Sequence, residues 1–187
     1  MAGFGLRLVK SMGMEGTTGN LIEFDIDPDN TNPIFTGDPV LLNGGFVEEV
    51  SGGGSTADYA GPVLGVFMGC RYAAADGDYE FKNQWNGQAG ASDVRAHIAI
   101  PAGALFWVKE AAGSSLPRTA IGNRYGLAYN AGSAAYGDSR FTLGAANVAG
   151  GVQLLRPAPL PGNVIGSGET IWEVNVIASQ GYAADAA

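Results

Sequence analysis

The chain has 187 residues, 46% hydrophobic and 15% charged, which is enough to bury a core without disulfide or metal support and too apolar for a disordered segment. Eighteen acids against ten Lys and Arg leave a net charge of −8, and the bases are scattered from Arg7 to Arg156, which excludes binding to nucleic acid or anionic lipid through a basic patch. Thirty glycines without a three-residue period exclude collagen and imply frequent turns, and the single cysteine, Cys70, excludes an intramolecular disulfide.

Residues 1–20 read as an extended N-terminal arm or an edge strand. Phe4, Leu6 and Leu8 alternate onto one side, and the breakers Ser11 to Asn20 follow. No apolar stretch in Met1 to Lys10 suffices for a signal peptide or a membrane span, so a soluble, unexported protein is expected. Leu21 to Ile26 alternates more cleanly, with Ile22, Phe24 and Ile26 against Glu23 and Asp25, as a half-buried strand does. After a proline-flanked turn, Val40-Leu41-Leu42 and Phe46-Val47 form a hairpin through Asn43-Gly44.

Ser51 to Ala60, with three consecutive glycines, reads as a surface loop. Pro62 to Tyr72 reads as a core strand bulged at its glycines, Gly65 and Gly69. Tyr79 to Lys82 alternates aromatic with charged, Trp85 follows in a loop, and Val94 to Ile100 and Ala104 to Lys109 make a second expected hairpin across Pro101-Ala102-Gly103. Between Gly113 and Gly151 only Arg124 to Tyr129 and Ser139 to Leu143 look strand-like. Val152 to Leu155 and Thr170 to Ala178 close the chain before a frayed tail at 181–187.

No segment sustains a helical period. The expectation is therefore an all-β single domain over 21–180, a barrel or a two-sheet sandwich of short antiparallel strands with long Gly-rich loops.

The chemistry-bearing residues are sparse. His97 is the single histidine and no G-x-S-x-G turn is present, so a serine hydrolase has no base and no elbow; His97 reads as an exposed or hydrogen-bonded strand residue. No lysine follows a glycine turn as in a P-loop, and one Cys with one His cannot make a zinc site. Asp25, Asp27 and Asp29 are weak candidates for Ca²⁺, since carboxylates alternate through a tight turn. However, Asn30 stands where a calcium loop needs glycine and Thr36 where it needs a bidentate Glu, and an acidic surface turn is the plainer reading. Trp85 reads as a plug for one end of the core, or as an exposed platform for sugar stacking. Neither an enzyme nor a cofactor is expected.

Gly37-Asp38-Pro39-Val40-Leu41-Leu42 with Gly44-Gly45-Phe46-Val47, then Gly61 through Tyr72, Tyr79 through Trp85, and the last strand from Thr170 to Gln180 resemble the decoration, or cement, proteins of tailed-bacteriophage heads. The resemblance covers about half the chain in pieces, by order and composition, and carries over no functional residue. It implies a β-rich structural virion protein on the capsid exterior, assembled in the host cytoplasm. Such a protein bridges subunits of the major capsid protein and associates with itself as a trimer or dimer at a local symmetry axis, with no direct nucleic acid and no membrane. Phe4, Leu6 and Leu8 are then expected to dock on a neighbouring subunit by strand addition, unless they form the first strand of the domain. The alternative function is a carbohydrate- or surface-binding β module, or another virion part such as a tail or fibre protein.

Overall fold

A computed structural model describes residues 3–11, 21–50, 59, 61–101, 103–147 and 149–177. Among them the alternating stretches become fourteen short strands and no α-helix. In the first half these are β1 (Arg7–Ser11), β2 (Leu21–Asp25), β3 (Ile34–Phe35), β4 (Pro39–Asn43), β5 (Phe46–Glu49), β6 (Gly65–Ala73), β7 (Tyr79–Lys82), β8 (Gln84–Trp85) and β9 (Ser92–Ala99). In the second half come β10 (Ala104–Lys109), β11 (Arg124–Ala128), β12 (Thr142–Ala146), β13 (Val152–Pro157) and β14 (Ile171–Val176), with one 3₁₀ turn at Arg118–Ala120. The segment before β2, most of the 51–60 loop and the C-terminal tail lie outside the described residues.

Two antiparallel sheets pack into a sandwich-like fold that is not a closed barrel. Sheet I runs β1-β10-β14-β13-β11-β12; sheet II runs β2-β9-β6-β4-β5, with β7 also on β6; β3 and β8 form a small ribbon. The β4–β5 hairpin turns through Gly44 and Gly45, both at positive φ, which suits the tight two-residue connection.

Between sheets I and II lies one core, built on Phe106, Trp172, Leu154, Leu127 and Leu143 and joined by Val66 and Ala99 of sheet II. A second core lies on the opposite face of sheet II, where Phe67, Ile98, Ala96 and Val94 meet Val40, Val47, Ile34 and Trp85. Strands β6 and β9 therefore contribute to both.

Several expectations are revised by this arrangement. The segments around β9 and β10 do not form a hairpin, because β9 is filled on both sides by β2 and β6 while β10 lies between β1 and β14; residues 100–103 carry the chain from one sheet to the other. Ile34 and Phe35, which the sequence pattern assigns to no element, form β3 against β8. In β2 Ile26 is buried just beyond the strand and Phe24 partly so, but Ile22 is 48% exposed at the sheet edge.

Glu110, directly after β10, is fully buried and gathers three donors. Its Oε1 accepts the Thr170 N–H at 3.2 Å; its Oε2 accepts the Trp172 indole N–H at 3.2 Å and the Leu116 N–H at 3.4 Å. This carboxylate fixes where the 111–116 and 167–170 loops leave sheet I. Glu110→Ala should lower unfolding stability by about 3 kcal/mol, since buried donors lose their acceptor and a charge-assisted bond is worth more than a neutral one. Urea unfolding followed by Trp fluorescence measures it, and a loss under 1 kcal/mol would contradict this role.

Candidate interaction surface

Sheet I covers one end of sheet II and leaves the other open. Along β9, the residues facing sheet I run from Ala99, fully buried, through His97, with its side chain 27% exposed, to Arg95, 38% exposed. On the open end, the β7–β6–β9–β2 surface carries charged and aromatic side chains.

Two bulges shape it. Between the pairs Phe67↔Ile98 and Cys70↔Ala96 strand β6 holds one extra residue, at Met68-Gly69, where Gly69 has φ +135. Between Arg71↔Arg95 and Ala73↔Ser92 the extra residue belongs to β9, at Asp93-Val94. Asp93 has φ +47 and is the one non-glycine among the described residues in the left-handed region, which Asp tolerates better than most residues.

That conformation sets the Asp93 carboxylate among three donors: Arg71 Nη1 at 3.1 Å, Arg95 Nε at 3.0 Å and the Tyr79 hydroxyl at 3.0 Å. Arg71 also donates through Nε and Nη2 to both oxygens of Glu23, at 3.3 Å each, and Arg95 reaches Asp25 at 2.6 Å. The Arg71 guanidinium lies 5.8 Å from the Tyr79 ring centre. Hydrogen bonds from Arg71 to Glu23 and from Arg95 to Asp93 are the main reasons these two acids stay below the usual carboxylate range. Two cations and three carboxylates thus hold one another in place, and the contributions of Glu23 and Asp93 are lost only as pH falls below that range.

Above this floor stand two exposed rings of β7. Tyr79 is 57% exposed and Phe81, on the same face of β7, 72%. Tyr136, 73% exposed, belongs to a loop pinned to the next residues of the chain: Asn83 Nδ2 donates to the Tyr136 carbonyl at 3.0 Å and Gln84 Nε2 to the Ala134 carbonyl at 3.2 Å. The far edge of β7 has no strand partner among the described residues.

The residues singled out from the sequence lie elsewhere or serve this array. Leu6 is fully buried in the core between the sheets, Leu8 packs on that core, and Phe4 lines a cavity of about 350 Å³ with Leu160, Asn163 and Ile171; β1 itself pairs with β10. Asp25 pairs with Arg95, and Asp27 Oδ1 accepts the Asp29 N–H at 2.9 Å within the turn. Among the described residues no group of three His, Cys, Asp or Glu side chains could hold a metal. Trp85 is fully buried, donating to the Asn30 carbonyl at 2.8 Å with its ring edge-on to Tyr72, so it offers no sugar platform. His97 sits 3.7 Å from Glu23. Burial pushes the Cys70 thiol up to about 12, leaving an unreactive core residue.

A cavity of about 710 Å³ lies beside Lys109, Glu110, Tyr129 and Arg140; both Glu110 oxygens turn inward to the donors described above, and Lys109 Nζ is held 3.0 Å from Glu169.

Sequence reasoning passed over Phe81, Tyr136 and Asp93. The alternation of Tyr79-Glu80-Phe81-Lys82 placed both rings on one face, but nothing local says which face the fold covers.

The strain at Asp93 is separable from its charge. Asp93→Ala and Asp93→Gly both delete the carboxylate, but glycine takes the positive φ freely, so the alanine variant should be less stable by roughly 0.5 to 1 kcal/mol. Denaturant midpoints measured side by side check this, and equal midpoints would contradict it.

No protein-family model, curated protein or solved structure matches this chain.

Proposed function

We propose that the chain is a structural virion protein that binds the outer face of a phage capsid, bridging major capsid protein subunits through the open end of sheet II, and that it acts by binding rather than by catalysis. The observation that carries the attachment is the pair of exposed rings, Tyr79 and Phe81, on a floor of mutually paired charges, with the exposed Tyr136 on the loop held by Asn83 and Gln84. The resemblance of residues 37–47, 61–72 and 79–85 to head decoration proteins supplies the partner.

The physical case rests on what such a surface is good for. Exposed ion pairs contribute little to stability, typically under about 1 kcal/mol each, so an array organised around a left-handed aspartate is poorly explained as a stabilising device. Side chains already locked by one another lose little freedom on docking, and large rings with few rotatable bonds are the usual energetic anchors of an interface. Repeated by symmetry over a shell, or within a trimer or dimer of this chain at a local axis, modest contacts add to strong attachment. The near balance of charge on this face also spares a net −8 protein from repelling an acidic partner there.

Purified chain mixed with heads of the virus carrying this sequence should pellet with them saturably and in fixed ratio. Phe81→Glu combined with Tyr136→Ser, both on exposed positions, should weaken binding at least tenfold with an unchanged melting temperature. Failure of the wild-type chain to pellet at micromolar concentration would overturn the capsid reading; binding to a glycan array through the same rings would favour the carbohydrate-binding module instead.

A further inference from the structure

The N-terminal segment enters the fold by crossing two other stretches of chain at contact distance. The Leu6 N–H donates to the Gly37 carbonyl at 2.8 Å and the Gly5 N–H to the Phe141 carbonyl at 3.2 Å. Gly5 has φ +70, and a Cβ there would lie 2.3 Å from Ser139 Oγ and 2.5 Å from the Gly37 oxygen; Gly37, at φ +93, has the Phe4 oxygen 3.1 Å from its own would-be Cβ. The segment therefore rests on Gly37 and Ser139, with no room for a side chain between them.

Beneath this crossing lies Asp38, 3% exposed. Its Oδ2 accepts the Phe35 N–H at 2.7 Å, closing the 35–38 turn, and the fully buried Ser139 hydroxyl donates to the same carboxyl. Ser139 is tied back in turn: its N–H donates to the Thr36 carbonyl at 3.0 Å, and its Oγ accepts the Phe141 N–H at 3.3 Å. Phe67 brackets the turn from sheet II, accepting from Gly37 at 2.8 Å and donating to the Asp38 carbonyl at 2.9 Å. One carboxyl group thus joins the turn to the loop on which residues 3–6 lie.

No cation offsets a charge at this position among the described residues. The titratable groups facing it are Glu49, whose carboxylate repels it, and Tyr129, whose hydroxyl is itself pushed up by burial first and then by Glu49 and Asp38. Burial is the main cause that raises Asp38 from 3.8 to about 7, against the opposing hydrogen bonds from Ser139 and Phe35.

We propose that Asp38 is a proton-operated clasp on the N-terminal segment: while the carboxyl is neutral residues 3–6 stay docked across Gly37 and Ser139, and when it ionises the crossing opens locally, freeing Leu6 and the β10 edge that β1 covers. The sign follows from linkage. A carboxyl more basic when docked than when hydrated favours the docked state fully below the hydrated value, and loses that preference as pH rises toward the docked one. Opening should therefore become more frequent from about pH 4 to about pH 7 and level off above it. Phe4, Leu6 and Leu8 would then be available to a partner only on the alkaline side.

Amide hydrogen exchange on the full chain, corrected for intrinsic rates, tests this. Between pH 5 and pH 8 the protection of the Gly5, Leu6 and Phe35 amides should fall at least tenfold, and toward about a hundredfold, while that of Trp172 and Val174 in β14 holds. Asp38→Asn should flatten the dependence. Should that variant not fold, Ser139→Ala, which removes a donor to the ionised form, should steepen the wild-type fall. Protection that is flat with pH in the wild-type chain, or that falls equally in β14, would overturn the clasp.

Discussion

Strands β6 and β9 must be apolar on both faces over part of their length, and the rest of the structure follows from that demand. One face closes the core against sheet I and the other builds the core lined by Phe67, Ile98 and Trp85. Two regular strands would keep each residue's side fixed along their whole run. The two bulges break that rule. Met68-Gly69 shifts β6 by one residue between the stretch that meets sheet I and the stretch that carries Arg71, while Asp93-Val94 ends the buried run of β9 with a carboxylate turned toward solvent. The transition from a strand pair packed on both faces to one with an open face takes place within these few residues.

The open end is the direct result. Among the described residues the Arg71 and Arg95 end of the β6–β9 pair is exposed, with its charged residues opposite one another and β7 beside them. Arg71 lies across from Arg95 in the ladder, an arrangement that would repel if left alone. Glu23 and Asp25 from β2 and Asp93 from the bulge each meet one or both of these arginines, so the repulsion is answered from neighbouring strands. The rings of Tyr79 and Phe81 are left without a layer above them.

Much of this was readable where local rules act alone. The β4–β5 hairpin follows from glycines at its turn, the long β6 from its apolar run with Gly69 as the bulge point, and β14 from its strict alternation of Trp172, Val174 and Val176. What could not be read depends on how far one layer reaches over another. Ile22 and Phe81 have the composition of buried residues and sit on edges that nothing among the described residues covers, whereas Glu110 has the composition of a surface residue and is enclosed because three donors converge on it. The sequence neighbours β9 and β10 look like a hairpin until one knows that both flanks of β9 are already taken.

The order of strands in sheet I bears on how the molecule is made. Every described strand of sheet II lies between residues 21 and 99, so that sheet can pair before any later residue has emerged from the ribosome. Sheet I has no such continuity: β1 pairs Arg7 with Trp107, and β14, near the C-terminus, occupies an interior place between β10 and β13. Strand β1 must wait about a hundred residues for its partner, and the sheet cannot close until β14 has followed. Sheet II can thus stand paired while sheet I is unfinished, and β1 lacks its ladder partner until residues 104–109 have followed.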